Sequence, residues 1–244
     1  MRYRVACTTM TALLLAGLVS LVGVPSVAAI TIEVAQENTA GVGDFAVKGQ
    51  IKAYDTALSA NAFYNYGASS YNGDAGGIGG PAPVSSKSQI FFVNSAVDGL
   101  SLFVVHDARN DGTGGSATTR FNLAGDTASI LVRDDDTGDD PNDTYADTGT
   151  QFDASHRWIA CCTDGYVIGS LGGSWTMFGE FRGDDPTGLD EWRAVDGDHH
   201  FVLALILLHR IRLRQVPEPA TSALLVAGAA GLVAAAWRTR RRNS

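Results

Sequence analysis

Between residues 30 and 216 the apolar side chains come in short runs, and no long segment repeats them at the spacing of a helix. Nine runs read as strands: 31–35, 62–66, 89–94, 100–105, 129–133, 158–160, 166–168, 174–181 and 201–208. Behind the last of them, Arg210-Ile211-Arg212-Leu213-Arg214 alternates strictly, which sets an apolar face against a cationic one. The run 201–208 (FVLALILL) is too short to span a bilayer as a helix, and His199, His200 and His209 bracket it. It reads as a central strand buried on both faces. Turn residues fall at Asn72-Gly73-Asp74, Asp98-Gly99, Asn110-Asp111-Gly112, Asp164-Gly165 and Asp196-Gly197, pairs that tolerate positive φ. Many short strands with frequent turns predict an all-β domain, a β-sandwich or jelly roll. The stretch 73–83 (GDAGGIGGPAP) reads as a loop; no lysine follows its glycines and no helix signal succeeds it, so it is not a phosphate cradle.

The two ends follow a different pattern. Arg2 and Arg4 precede an apolar run from Met10 to Val24, and Pro25-Ser26-Val27-Ala28-Ala29 ends it in small residues. A charged start, a short apolar run and small side chains before the cut make a secretory signal peptide, assigned to residues 1–29. Cleavage after Ala28 or Ala29 fits equally well. Cys7 lies ahead of the apolar run, too early to be a lipidated cysteine. At the far end Val216-Pro217-Glu218-Pro219 leads into 18 uncharged residues, Ala220 to Trp237, followed by Arg238, Arg240, Arg241 and Arg242. Eighteen residues of helix cover roughly 27 Å, close to a hydrocarbon core of about 30 Å. The arginines would hold the tail on the cytoplasmic side, leaving the domain at 30–215 outside.

Pro217-Glu218-Pro219, an apolar helix at 220–237 and a basic terminus, in that order, resemble the PEP-CTERM sorting signal, a region also known as the ice-binding-protein C-terminal domain. The resemblance covers residues 216–244. It implies transient anchoring in the inner membrane and recognition of the tripeptide by an exosortase, which cleaves near it. Delivery to the cell surface or an exopolysaccharide matrix would follow. Signal peptidase and exosortase are then the expected processing partners, and exopolysaccharide a further one. Two prolines around a glutamate also deny the segment a helix and leave it extended for a protease.

Charge changes the picture once the ends are set aside. Removing Glu218 from 26 acids leaves 25, and removing Arg2, Arg4 and the four tail arginines from 18 bases leaves 12, a net charge near −13. Nucleic acid is not an expected partner, because binding it relies on Lys and Arg against phosphate. Cys161 and Cys162 are adjacent, so they cannot staple distant segments. A vicinal disulfide, buried inert thiols and an intermolecular bridge all fit. Zinc on His156 and these thiols would still want a fourth ligand.

The stretch from Asp134 to Asp143 is the densest internal signal. Asp134, Asp136 and Asp140 stand at alternate positions around Gly138, and Ca²⁺ takes such oxygen ligands, though neither the glycine nor a terminal glutamate falls where an EF-hand needs it. A solvated acidic loop accounts for the same residues. No other cofactor is expected. His106-Asp107 and His199-His200 sit at strand ends, where sandwiches place ligand sites and where any strand leaves the core. Tyr64, Tyr66, Tyr71, Trp175 and Trp192 could stack on sugar rings, but core packing is the commoner use of such residues. No nucleophile-elbow motif is present, and no catalytic residue is assigned. The expected function is non-enzymatic: an exported surface or matrix protein with a structural, adhesive or carbohydrate-contacting role. A secreted polysaccharide hydrolase is the alternative, requiring two carboxylates facing across a groove.

Overall fold

A computed structural model describes residues 29–68, 70–135, 143–183, 186–198 and 202–217. Residues 1–28 of the expected signal peptide, Glu218, Pro219, the apolar span 220–237 and the terminal arginines lie outside the described residues, as do Asp136, Asp140, His199 and His200. Among the described residues no helix is long and apolar enough to cross a membrane.

The elements in order are β1 (Thr31–Glu37), β2 (Phe45–Lys52), β3 (Tyr54–Thr56), α1 (Ala60–Tyr64), β4 (Lys87–Ser95), β5 (Gly99–His106), β6 (Gly115–Ala124) and β7 (Ser129–Arg133). They continue with β8 (Thr144–Asp147), β9 (Gln151–Trp158), β10 (Asp164–Leu171), β11 (Thr176–Phe181), β12 (Glu191–Val195), β13 (Val202–Leu205) and β14 (Ile211–Gln215). They form two sheets. The first runs β2-β1-β14-β11-β6-β9-β8; the second runs β13-β12-β4-β5-β10-β7, with β3 alongside β4. The chain is therefore all-β, as the turn-rich pattern predicts.

The inner faces of the two sheets share one core. Ile32, Val34, Phe121, Phe152, Met177 and Leu213 from the first sheet meet Ile90, Phe92, Leu102, Val104, Ile168 and Trp192 from the second. The second sheet is covered on its outer face as well. There Phe91, Val93, Phe103, Val105 and Val167 pack under Phe63, Tyr64 and Tyr71, which come from α1 and the segment after it. Alternate residues of β4 and β5 thus enter two different cores, which is why these strands read as unbroken apolar runs. Tyr71 also explains two glycines in the loop, since a Cβ at Gly73 or Gly80 would collide with its ring or hydroxyl.

Four expectations need correction. Residues 62–66 are not a strand. Ser59 caps α1 by accepting from the Ala62 amide at 3.1 Å, Asp98 accepts from the Ala60 amide at 2.5 Å, and Asn65 closes the helix in the left-handed region. The segment 201–208 does not form a central strand. Its described part, β13, is the edge of its sheet, with Val202, Ile206 and Leu208 exposed by 46, 56 and 52%. A turn then carries the chain to the other sheet, so one face has no layer to pack against. Strand β9 ends at Trp158 instead of reaching residue 160. Asp164-Gly165 opens β10 and is not a hairpin corner; a Cβ at Gly165 would strike the carbonyl oxygen of Val104 on β5.

The alternating cationic segment becomes β14, and its two faces are used as the pattern implies. Ile211 and Leu213 are fully buried, while Arg212 and Arg214 reach Glu33 on β1 at 3.4 and 2.8 Å. Arg210 forks onto Glu37, and the amides of Gly41 and Gly43 donate to the same carboxylate at 2.9 and 2.8 Å. These contacts tie the β1–β2 turn to the segment leading into β14. The Val216 amide donates to the Thr31 carbonyl at 2.9 Å, so the first and last residues of the domain leave from the same end of the same sheet.

The Arg210 guanidinium and the two glycine amides hold the Glu37 carboxyl down at about 2 against an ordinary 4.5. The folded value is the lower one. Its stabilisation is therefore complete above pH 4.5 and disappears as the pH falls through about 2. Glu37→Gln should cost about 1.5–3 kcal/mol at neutral pH, measured by denaturant unfolding. The difference between wild type and variant should shrink steadily on acidification between these two values.

Candidate metal centre

The acidic segment begins and ends at places where the chain crosses between the sheets. Asp134 follows β7 at the edge of the second sheet, and Asp143 precedes β8 at the edge of the first. The next crossing, from β9 back to β10, brings in two more polar residues. Along β9, Phe152, Ala154, His156 and Trp158 face inward by simple alternation, so His156 must enter the interior. Asp164 is the first residue of β10, directly opposite His106 at the end of β5.

Asp143, His156 and Asp164 each offer a ligand atom, and these atoms lie within 4.8 Å of one another. All three residues are buried, with relative exposures of 1, 2 and 2%. Backbone amides orient the carboxylates: that of Arg157 donates to Asp143 Oδ1 at 3.1 Å, and that of Gly165 to Asp164 Oδ1 at 2.8 Å. The Tyr64 hydroxyl donates to Asp134 Oδ2 at 2.6 Å, while Asp134 Oδ1 has no hydrogen-bond partner. Neither ring nitrogen of His156 has one either; Nδ1 stands 3.9 Å from Asp164 Oδ1. Tyr145, Tyr166 and His106 surround the imidazole with ring centroids 5.2–5.4 Å away.

The electrostatics of Asp134, Asp164 and the two histidines follow from burial. Desolvation pushes the Asp164 carboxyl well above the usual range, and the neighbouring carboxylates of Asp143 and Asp134 push it further. Asp134 is raised in the same way, by burial first and then by Asp135 and Asp143. Desolvation holds the His156 imidazole well below its ordinary value, with His106 adding to the effect. Burial alone takes His106 down to about 3. No lysine or arginine forms an ion pair with Asp134 or Asp164 among the described residues. A neutral imidazole beside carboxylates is a donor set for a divalent cation. It is also too tight and too enclosed to seat a sugar ring between Asp143 and Asp164.

Around this cluster lies a further set of polar contacts, in which only His106 Nε2 is left without a hydrogen-bond partner. Ser88 Oγ and His106 Nδ1 are 2.9 Å apart. The His106 ring stacks on Trp158, whose indole N–H donates to Asp107 Oδ2 at 2.8 Å. Asp107 also accepts from the Ser86 amide and the Thr113 hydroxyl, at 2.7 and 3.0 Å. His106-Asp107 is thus a buried support of the cluster and not a surface pair.

The other candidate residues fall elsewhere. Tyr64, Tyr71, Trp175 and Trp192 are buried in the cores and offer no open ring face; Tyr66 is 40% exposed and donates to Asp135. Cys161 and Cys162 are joined to each other in the turn between β9 and β10, so their thiols are not available to share a metal with His156. Of the expected calcium ligands, Asp134 turns inward toward Tyr64 and the cluster, and Asp136 and Asp140 lie outside the described residues. Asp143 and Asp164 were not singled out as ligands from the sequence. Their signal is the inward position of His156 on an alternating strand, which requires polar company.

Residues 215–242 match the model of the PEP-CTERM protein-sorting motif, beginning at the last residue of β14. No curated protein and no solved structure matches the chain.

The cysteine bridge closes a ring with no residue between its ends. A cross-link stabilises mainly by restricting the unfolded chain, and here it restricts almost none of it. Reduction should therefore move the thermal midpoint by less than about 2 °C. Alkylation and mass spectrometry would verify the redox state, and a larger drop would show that the bridge holds the turn.

Proposed function

We propose that this exosortase-targeted exported protein is a non-enzymatic component of the cell surface or extracellular matrix, with a structural or adhesive role against polysaccharide. The observation that carries this reading is the sorting motif, which starts where the last strand ends. With no linker between domain and motif, the folded domain is held against the membrane until the cut, and its face is presented outward at once. The net charge near −13 between residues 30 and 216 favours a hydrated, mutually repelling surface, suited to a protein dispersed in a gel of polymers. Neither the core aromatics nor the enclosed Asp/His cluster provides a groove in which a glycosidic bond could be cut.

The test follows the protein in strains with and without exosortase, using an antibody to the domain. In the competent strain a shortened form should appear at the surface and in the medium. Without the enzyme the full-length chain should accumulate in the membrane fraction, and Glu218→Ala should reproduce this in the competent strain. Identical size and location in all three strains would refute processing. Binding of the released domain to the exopolysaccharide of the same cells, measured by co-sedimentation, addresses the matrix role; a domain that stays in the supernatant argues against it.

A further inference from the structure

We infer that Asp143, His156 and Asp164 bind a divalent transition ion of the Zn²⁺ type, which fastens the crossing between the two sheets. The first ground is geometry. The three donor atoms lie within 4.8 Å of one another, and His156 Nδ1 is 3.9 Å from Asp164 Oδ1. Ligands about 2.0–2.2 Å from one tetrahedral ion stand roughly 3.4 Å apart. The His156–Asp164 pair must close by about 0.5 Å and the widest pair by no more than about 1.4 Å to reach that spacing, the scale of a side-chain rotation.

The second ground is independent of the acidic cluster. The His156 side chain is 0% exposed, and both of its ring nitrogens lack a hydrogen-bond partner. Outside the donor set, His106, whose ring centroid lies 5.2 Å from that of His156, and Asp134 each bury one further atom without a partner, Nε2 and Oδ1. A buried imidazole normally satisfies at least one nitrogen, because an orphaned polar atom carries its full desolvation cost. Several such orphans meeting beside carboxylates is the pattern expected where a bound ion completes the shell. Amide bonds from Arg157 and Gly165 fix the carboxylates in place, the outer-shell support that metal ligands ordinarily have.

The donor chemistry selects the ion. One imidazole and a few carboxylate oxygens suit Zn²⁺ or Mn²⁺, whereas Ca²⁺ takes six to eight oxygens. Asp134, whose charge helps to raise the Asp164 carboxyl, lies near this set but outside it. The site joins the first sheet, through Asp143 and His156, to the second, through Asp164. It is unrelated to the sorting motif, so its failure would leave the proposed function standing.

The test uses the full-length chain in detergent, stripped with chelator and then titrated separately with Zn²⁺, Mn²⁺ and Ca²⁺ while thermal unfolding is followed. Zn²⁺ or Mn²⁺ at about a hundredfold excess over Kd should raise the midpoint by roughly 5–10 °C. Asp164→Asn and His156→Gln should abolish that rise. In the stripped state Asp164→Asn should be at least as stable as wild type, because it replaces a carboxyl buried beside that of Asp143 with a neutral amide. That comparison separates lost binding from lost folding, and if either variant fails to fold the wild-type titration decides. Protein unmoved by all three ions would overturn the inference. So would a response to Ca²⁺ alone, or a Zn²⁺ response retained in both variants.

Discussion

The architecture depends on one sheet having to be covered twice. Strands β4, β5 and β10 carry large apolar side chains on both faces, so the second sheet cannot be stable with only one layer against it. The first sheet supplies the inner cover. The outer cover comes from a single turn of helix and a glycine-rich segment that lay Phe63, Tyr64 and Tyr71 across Phe91 and Phe103. This requirement also accounts for the buried Tyr64 hydroxyl, which must find a partner once the ring is enclosed, and finds Asp134. Double burial and the polar cluster are therefore two sides of the same packing.

How much of this was readable in the sequence depended on the face each strand presents. The runs at 89–94, 100–105 and 166–168 were legible because burial on both faces writes an uninterrupted apolar string. Strand β6 was not, since its buried positions include Thr119, which bonds to Tyr166, and its outward ones include Arg120 and Asn122. Helix α1 was misread because two caps, Ser59 and the distant Asp98, outweigh the strand preference of its aromatics. The apolar string 201–208 misled in the opposite direction: composition alone does not distinguish a central strand from an edge that ends in a turn.

The cluster was half legible. The acidic stretch stood out, but as a loop that would gather its own carboxylates around an ion. Its first and last acids instead turn inward toward residues about ten positions further on or more, and only the fold brings Asp164 to them. His156 was noticed beside the cysteines, close in the chain and chemically wrong, because the cysteines bond to each other. Elsewhere the acids are spent on ordinary ion-pair partners. Glu33 faces Arg212 and Arg214 on β14 and Asp153 faces Arg120 across strands, while Glu37 takes Arg210 just ahead of β14 and Asp74 takes Arg109 between two loops.

The pairing of β1 with β14 joins residues as far as 183 positions apart, Ile32 and Gln215, and β14 also lies beside β11 in the middle of its sheet. Closing so long a loop is entropically late, and the sheet has a gap at its centre until the final strand arrives. A growing chain thus lacks, until residues 211–215 are present, the strand that would lock the first sheet into shape. For a protein targeted for export, rigidity arrives with the very segment that adjoins its sorting motif.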